Sequence, residues 1–157
     1  MHRFVRVLLV AALSPLAARA QAPKPVESKV NVSIGLGLHY GSPMRGSAAV
    51  GVLLDLNGNR NDGIIVMAEP GQQGNEISAG YFRMLGKFGS GYSVRAAFVR
   101  TKSDPWNASP NSDYVGLEAH WMIVFGVGPR VGYLRRVRGS SADSHDNLAS
   151  IGVSIGA

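Results

Sequence analysis

The sequence predicts an all-β chain that closes into an antiparallel, up-and-down barrel of about eight strands behind a short export leader. Three observations predict it. Met1 to about Ala22 has the layout of a secretory signal peptide. The remainder breaks into segments in which large apolar residues alternate with small or polar ones. Clusters of Gly, Pro, Asn and Ser separate those segments, as turns do.

The leader carries His2, Arg3 and Arg6, then an uncharged stretch from Val7 to Ala18, then the small-residue sequences around Ala18, Ala20 and Ala22. The apolar stretch is too short to span hydrocarbon as a helix, which needs about 20 residues, and Pro15 interrupts it. The expected organisation is a signal peptide over 1–22 and a β-barrel domain over 23–157. Cleavage would remove Arg3, Arg6 and Arg19, about half of the formal +6 charge. The remaining basic residues are scattered apart from Arg135, Arg136 and Arg138, which argues against a nucleic-acid partner. A mature chain of about 135 residues is one domain. It has no cysteine, so stability has to come from something other than disulfides. A closed barrel, with every strand paired on both sides, supplies it.

The strands follow in order. Val30, Val32, Ile34, Leu36, Leu38 and Tyr40 alternate with Asn31, Ser33, Gly35, Gly37 and His39. After the turn signal Gly41, Ser42, Pro43, a second alternation sets Ala48, Val50, Val52, Leu54 and Leu56 against Ser47, Ala49, Gly51, Leu53 and Asp55. These two read as a hairpin. The short apolar run from Ile64 to Ala68 follows, and Glu69 to Gly74 reads as a turn. Glu76 to about Leu85 and Tyr92 to Lys102 are the next strands, with a long polar loop from Ser103 to Ser112 beyond them. Tyr114 to Phe125 alternates cleanly and reverses at Gly126 to Gly128 into Pro129 to Arg138. The last segment sets Leu148, Ile151, Val153 and Ile155 against Ser150, Gly152, Ser154 and Gly156.

A soluble β domain turns its large apolar face inward and covers the other with Lys, Glu and Thr. Here the second face is mostly Gly, Ser, Ala and Asn, which suits a crowded lumen, while Val, Ile and Leu suit lipid. With the N-terminus on the periplasmic side, the connections near 86–91 and 126–128 are short and those near 103–112 and 139–147 longer, as in outer-membrane barrels. Tyr40, Tyr81, Tyr92, Trp121 and Tyr133 are candidates for interfacial girdles.

On these residues the chain resembles the small eight-stranded outer-membrane β-barrel proteins of Gram-negative bacteria. Its C-terminal segment, Ser150, Gly152, Ile155 and Ala157, is similar to the family's terminal assembly signal, with Ala157 where an aromatic residue is usual. The resemblance implies outer-membrane lipid and the barrel assembly machinery as partners, and it implies no one function.

The candidate chemistry lies on the inward face, where successive strands contribute Arg95, Glu118, His120 and Arg130. Charges inside a narrow barrel must be paired, so the expectation is an Arg–Glu–Arg network that fills the lumen. His120 could act as the base of a lipid hydrolase only with a serine in reach, and residue 122, two positions on, is Met122. Asp143, Ser144, His145 and Asp146 have triad residue types but read as a surface loop. His39, His120 and His145 show no metal-ligand spacing, so neither metal nor cofactor is expected. The expected role is structural or surface interaction, without enzymatic activity, through loops around Trp106 and Asp143 to Asp146. The alternatives are a soluble periplasmic barrel holding a lipid-like ligand, and a membrane lipid hydrolase built on His120.

Overall fold

The computed structural model describes residues 30–56, 61–86, 88–139 and 146–156. The expected signal peptide, Asp143 to His145, and Ala157 lie outside the described residues. Eight strands follow in order: β1 (Asn31–Gly41), β2 (Arg45–Asp55), β3 (Asp62–Pro70), β4 (Gly74–Met84), β5 (Gly91–Thr101), β6 (Asp113–Met122), β7 (Gly128–Arg138) and β8 (Asn147–Gly156). Each pairs antiparallel with the next, and β1 returns to β8 to close the barrel.

The period-two pattern sorts the side chains as the sequence predicts. Ile34, Leu36, Val52, Ile77, Leu117 and Ile151 stand on the outer wall, exposed. The opposite parity is buried in the lumen. The run from Ile64 to Ala68 is the centre of a full strand that extends to Pro70, which pairs with Asn75 at the strand end, past Ala68, the last β3 residue in the β2 ladder.

Three local readings change. The reversal after β6 comes earlier than expected: Phe125 and Gly126 have φ of 51° and 73° and are flanked by the bridge between Val124 and Val127. Positive φ at both central residues is what a two-residue hairpin turn needs, so β6 stops at Met122. Leu148 shares the parity of Ser150 and faces the lumen, fully buried. The loop asymmetry is confined to two hairpins. At the end of the barrel that holds Gly41, the connections 42–44 and 71–73 are shorter than any at the opposite end, while 102–112 and 139–146 are longer.

The lumen is filled in layers. Near the Gly41 end lie Met44, Val99, Tyr114, Leu134 and Leu148. Toward the opposite end Ile65, Met67 and Phe82 pack together, with Ala49, Leu53 and Met84 against them. Between these apolar layers sit the charged residues. The charged cluster thus sits at mid-height between apolar layers, where the sequence suggested a lumen filled by polar side chains, and Asp55, Thr101 and Ser112 are buried nearer the ends.

Candidate functional site

Three strands bring the predicted residues Arg95, Glu118, His120 and Arg130 into one buried layer. The pairing within it differs from the expected Arg–Glu–Arg arrangement. Arg130 is the hub. Its Nη1 donates to Glu69 Oε2 at 2.6 Å and its Nε to Glu118 Oε2 at 2.9 Å. Its Nη2 donates to both Glu76 and Glu118. Arg95 stands directly opposite Glu118 in the strand register but forms no ion pair among the described residues, and its Nε has no hydrogen-bond partner.

Three members of the layer escaped the sequence reading: His39, Glu69 and Glu76. His39 Nδ1 lies 3.0 Å from Glu69 Oε1, so the ring N–H donates to the carboxylate. Ser47 donates to the same oxygen at 2.5 Å. In the sequence Glu69 reads as the start of a turn. Its parity with Ile65 and Met67 is the signal that places it inward. Glu76 has the parity of Ser78, Gly80 and Phe82, and His39 that of Gly35 and Gly37.

Small residues make the layer possible. A Cβ at Gly132 would lie 2.7 Å from Glu118 Cγ, and one at Gly41 would lie 2.9 Å from His39 Nε2. Each glycine leaves the wall thin where a long polar side chain lies across it. The residues singled out as an assembly signal also have places here. Ser150 Oγ lies 3.0 Å from both Glu118 Oε1 and Ser42 O, and its one hydroxyl proton can go to either. A Cβ on Gly152 would collide with the His39 ring, and Ile155 faces outward.

What the layer can do chemically follows from its contacts. Three carboxyl groups converge on one guanidinium, which occupies the point where a cation would otherwise bind. Among the described residues no group of His, Asp or Glu could hold a metal ion. Ser93 stands opposite His120 in register, yet no hydrogen bond joins them, and His120 Nε2 has no partner. A nucleophile and base need that contact and a third group to orient the base. The space beside Arg95, His120 and Ser93 is a cavity of about 10 Å³, the room of one water.

The Gly41 end is closed by loops tied to one another. Gln72 N donates to Gly46 O at 2.9 Å, Gln73 N to Met44 O at 3.1 Å, and Lys102 N to Gln73 O at 2.9 Å. The 102–112 loop is fixed by Thr101 Oγ1, which donates to Ser109 O at 2.7 Å, and by Ser109 N, which donates to the buried Tyr114 hydroxyl at 2.9 Å. Of the five girdle candidates, Tyr81, Tyr92 and Trp121 gather at the end opposite Gly41, with Tyr92 facing Trp121 in register. Tyr40 is at the Gly41 end, and Tyr133 lies at mid-height on β7.

Comparison with protein-family models, with curated proteins and with solved structures finds no match for this chain.

Proposed function

We propose that the chain is a small outer-membrane barrel with a structural or surface-interaction role, its lumen plugged and its loops at the Gly41 end turned to the outside. The observation that carries this reading is the direction of the large apolar side chains. Ile34, Leu36, Ile77, Leu117, Trp121 and Ile151 are each more than 60% exposed, and they belong to a wall that is apolar around the barrel. In water a contiguous surface of that kind drives association; in lipid it costs nothing. Strands of 9 to 11 residues match the length that a tilted strand needs to cross hydrocarbon. The cluster of Tyr81, Tyr92 and Trp121 suits one interface.

A soluble lipid carrier would hold its apolar face inward around a cavity of roughly 300 Å³ or more. The lumen here has about 10 Å³ beside its charged layer. Against a hydrolase, His120 is buried in the lumen beside an unengaged Ser93, away from the outer wall that lipid would touch.

Expression with the leader intact, followed by membrane fractionation and electrophoresis with and without boiling, tests the proposal. The expected result is recovery in the outer-membrane pellet with heat-modifiable migration. Recovery of the whole protein in a detergent-free periplasmic extract would overturn it.

A further inference from the structure

Tyr40 ends the outward row of β1 and is 66% exposed, and Trp106, in the 102–112 loop, is 43% exposed. Their rings lie 6.4 Å apart at 57° to each other. Polar tethers keep Trp106 where it is: its backbone N–H donates to Pro43 O at 3.0 Å, and Ser42 Oγ donates to its carbonyl at 2.9 Å. The neighbouring Asp104 accepts from Arg45 Nη2 at 2.7 Å, joining this loop to the start of β2. Tyr40, Arg45 and Trp106 line an open cleft of about 280 Å³.

Arg45 has a φ of 63°. That left-handed conformation, directly after the 42–44 turn, is one that glycine or asparagine adopts without strain and arginine does not. An outlier of this kind at the edge of a cleft is a reason to look for function. The strained position presents a guanidinium beside two exposed aromatic rings.

We propose that this cleft binds a neutral saccharide. The rings offer flat apolar faces to the C–H face of a sugar ring, and each carries a polar tip as well. Arg45 and Asp104 cancel each other's charge, which removes the attraction for phosphate or carboxylate. The remaining N–H groups of Arg45, which lines the cleft, can donate to sugar hydroxyls, and the Asp104 carboxylate paired with it stands beside the cleft. The volume falls just below that of sites for drug-sized ligands, so it suits about one sugar ring at a time. The 102–112 loop is already tied down, so binding does not have to order it. The proposal goes beyond the barrel reading and requires only that the Gly41 end be open to solvent.

The test uses the purified full-length protein in a detergent without a sugar headgroup, applied to an array of neutral oligosaccharides together with phosphocholine and a sialylated trisaccharide. Retention on neutral oligosaccharides is expected, weakened at least tenfold in Trp106→Ala and in Arg45→Gly and unchanged in Trp121→Phe. Arg45→Gly is also expected to melt at the same temperature as the parent or higher, because glycine relieves the left-handed backbone. Preference for phosphocholine or the sialylated glycan, equal retention by all three variants, or no retention by the parent would each overturn the proposal. So would a lower melting temperature in Arg45→Gly, which would make that residue a fastening of the fold.

Discussion

Glu69 and Glu76 stand directly opposite each other on β3 and β4, and the guanidinium of Arg130 bridges them from the far wall. Two like charges facing one another across a pair of strands repel. The same two carboxylates become tolerable when a fixed cation lies between them. Arg130 is therefore the shared partner that offsets this facing pair within the β3–β4 ladder.

Replacing Arg130 with Met leaves three buried carboxyl groups without their common partner. Removing one member of a buried ion pair costs about 3–5 kcal/mol. Arg130→Met should destabilise the barrel by at least that range in urea unfolding from lipid vesicles. Adding Glu69→Gln and Glu76→Gln to Arg130→Met should recover part of the loss, a coupling read by comparing the triple variant with Arg130→Met and with the paired glutamine variant.

Gly132 gives a smaller and more local test. An added methyl would press on Glu118 Cγ at 2.7 Å, so Glu118 must move away from Arg130. Gly132→Ala should cost about 1–3 kcal/mol, as overpacking does. Equal stability of Gly132→Ala and the parent would show that Glu118 has another resting place.

The Tyr114 hydroxyl is the acceptor for the buried Ser109 N–H. Tyr114→Phe keeps the ring in its apolar layer and orphans that amide, at about 1–3 kcal/mol. Amide exchange at Ser109 should quicken in Tyr114→Phe while amides at mid-height in β5 keep their protection.

Leu117 is 62% exposed on the outer wall near mid-height. Leu117→Arg should cost about 2–4 kcal/mol when the barrel folds into a bilayer. In a water-soluble barrel the same change at an exposed site would fall within about 0.5 kcal/mol. Folding titrations of Leu117→Arg into vesicles separate the two.

How much of this was legible in the sequence depended on range. The faces of β1 could be read from Val30 to Tyr40 because alternation is a local property. Leu148 was misread for a local reason too: Ala149 and Ser150 interrupt the apolar pattern, and only parity counted from Ser150 assigns it. Glu69 was hidden because Pro70 and Gly71 beside it signal a turn, and the strand runs on to Pro70 before that turn begins. The partnership of Arg130 with Glu69 was beyond reach. It joins residues 61 apart in sequence and depends on the closure of the whole sheet. Trp106 and Tyr40 met for the same reason, since the path of a loop follows from the hydrogen bonds it finds and not from its composition.

The seams of the sheet are uneven. Among the described residues β1 meets β8 from Gly37 opposite Gly156 to Gly41 opposite Gly152, and β2 meets β3 along named strands from Val50 opposite Ala68 to Asp55 opposite Gly63. Between themselves β1 and β2 are in register over their full lengths, from Asn31 opposite Asp55 to Gly41 opposite Arg45. The first hairpin is thus a pair of staves with a longer ladder between themselves than with the hoop, to which the Ser47–Gly71 bridge and the loop hydrogen bonds at the Gly41 end also fasten it. Pulled from the N-terminus in a force experiment, it should come away as one piece ahead of the other six strands, and on refolding it should be the last to be set in place.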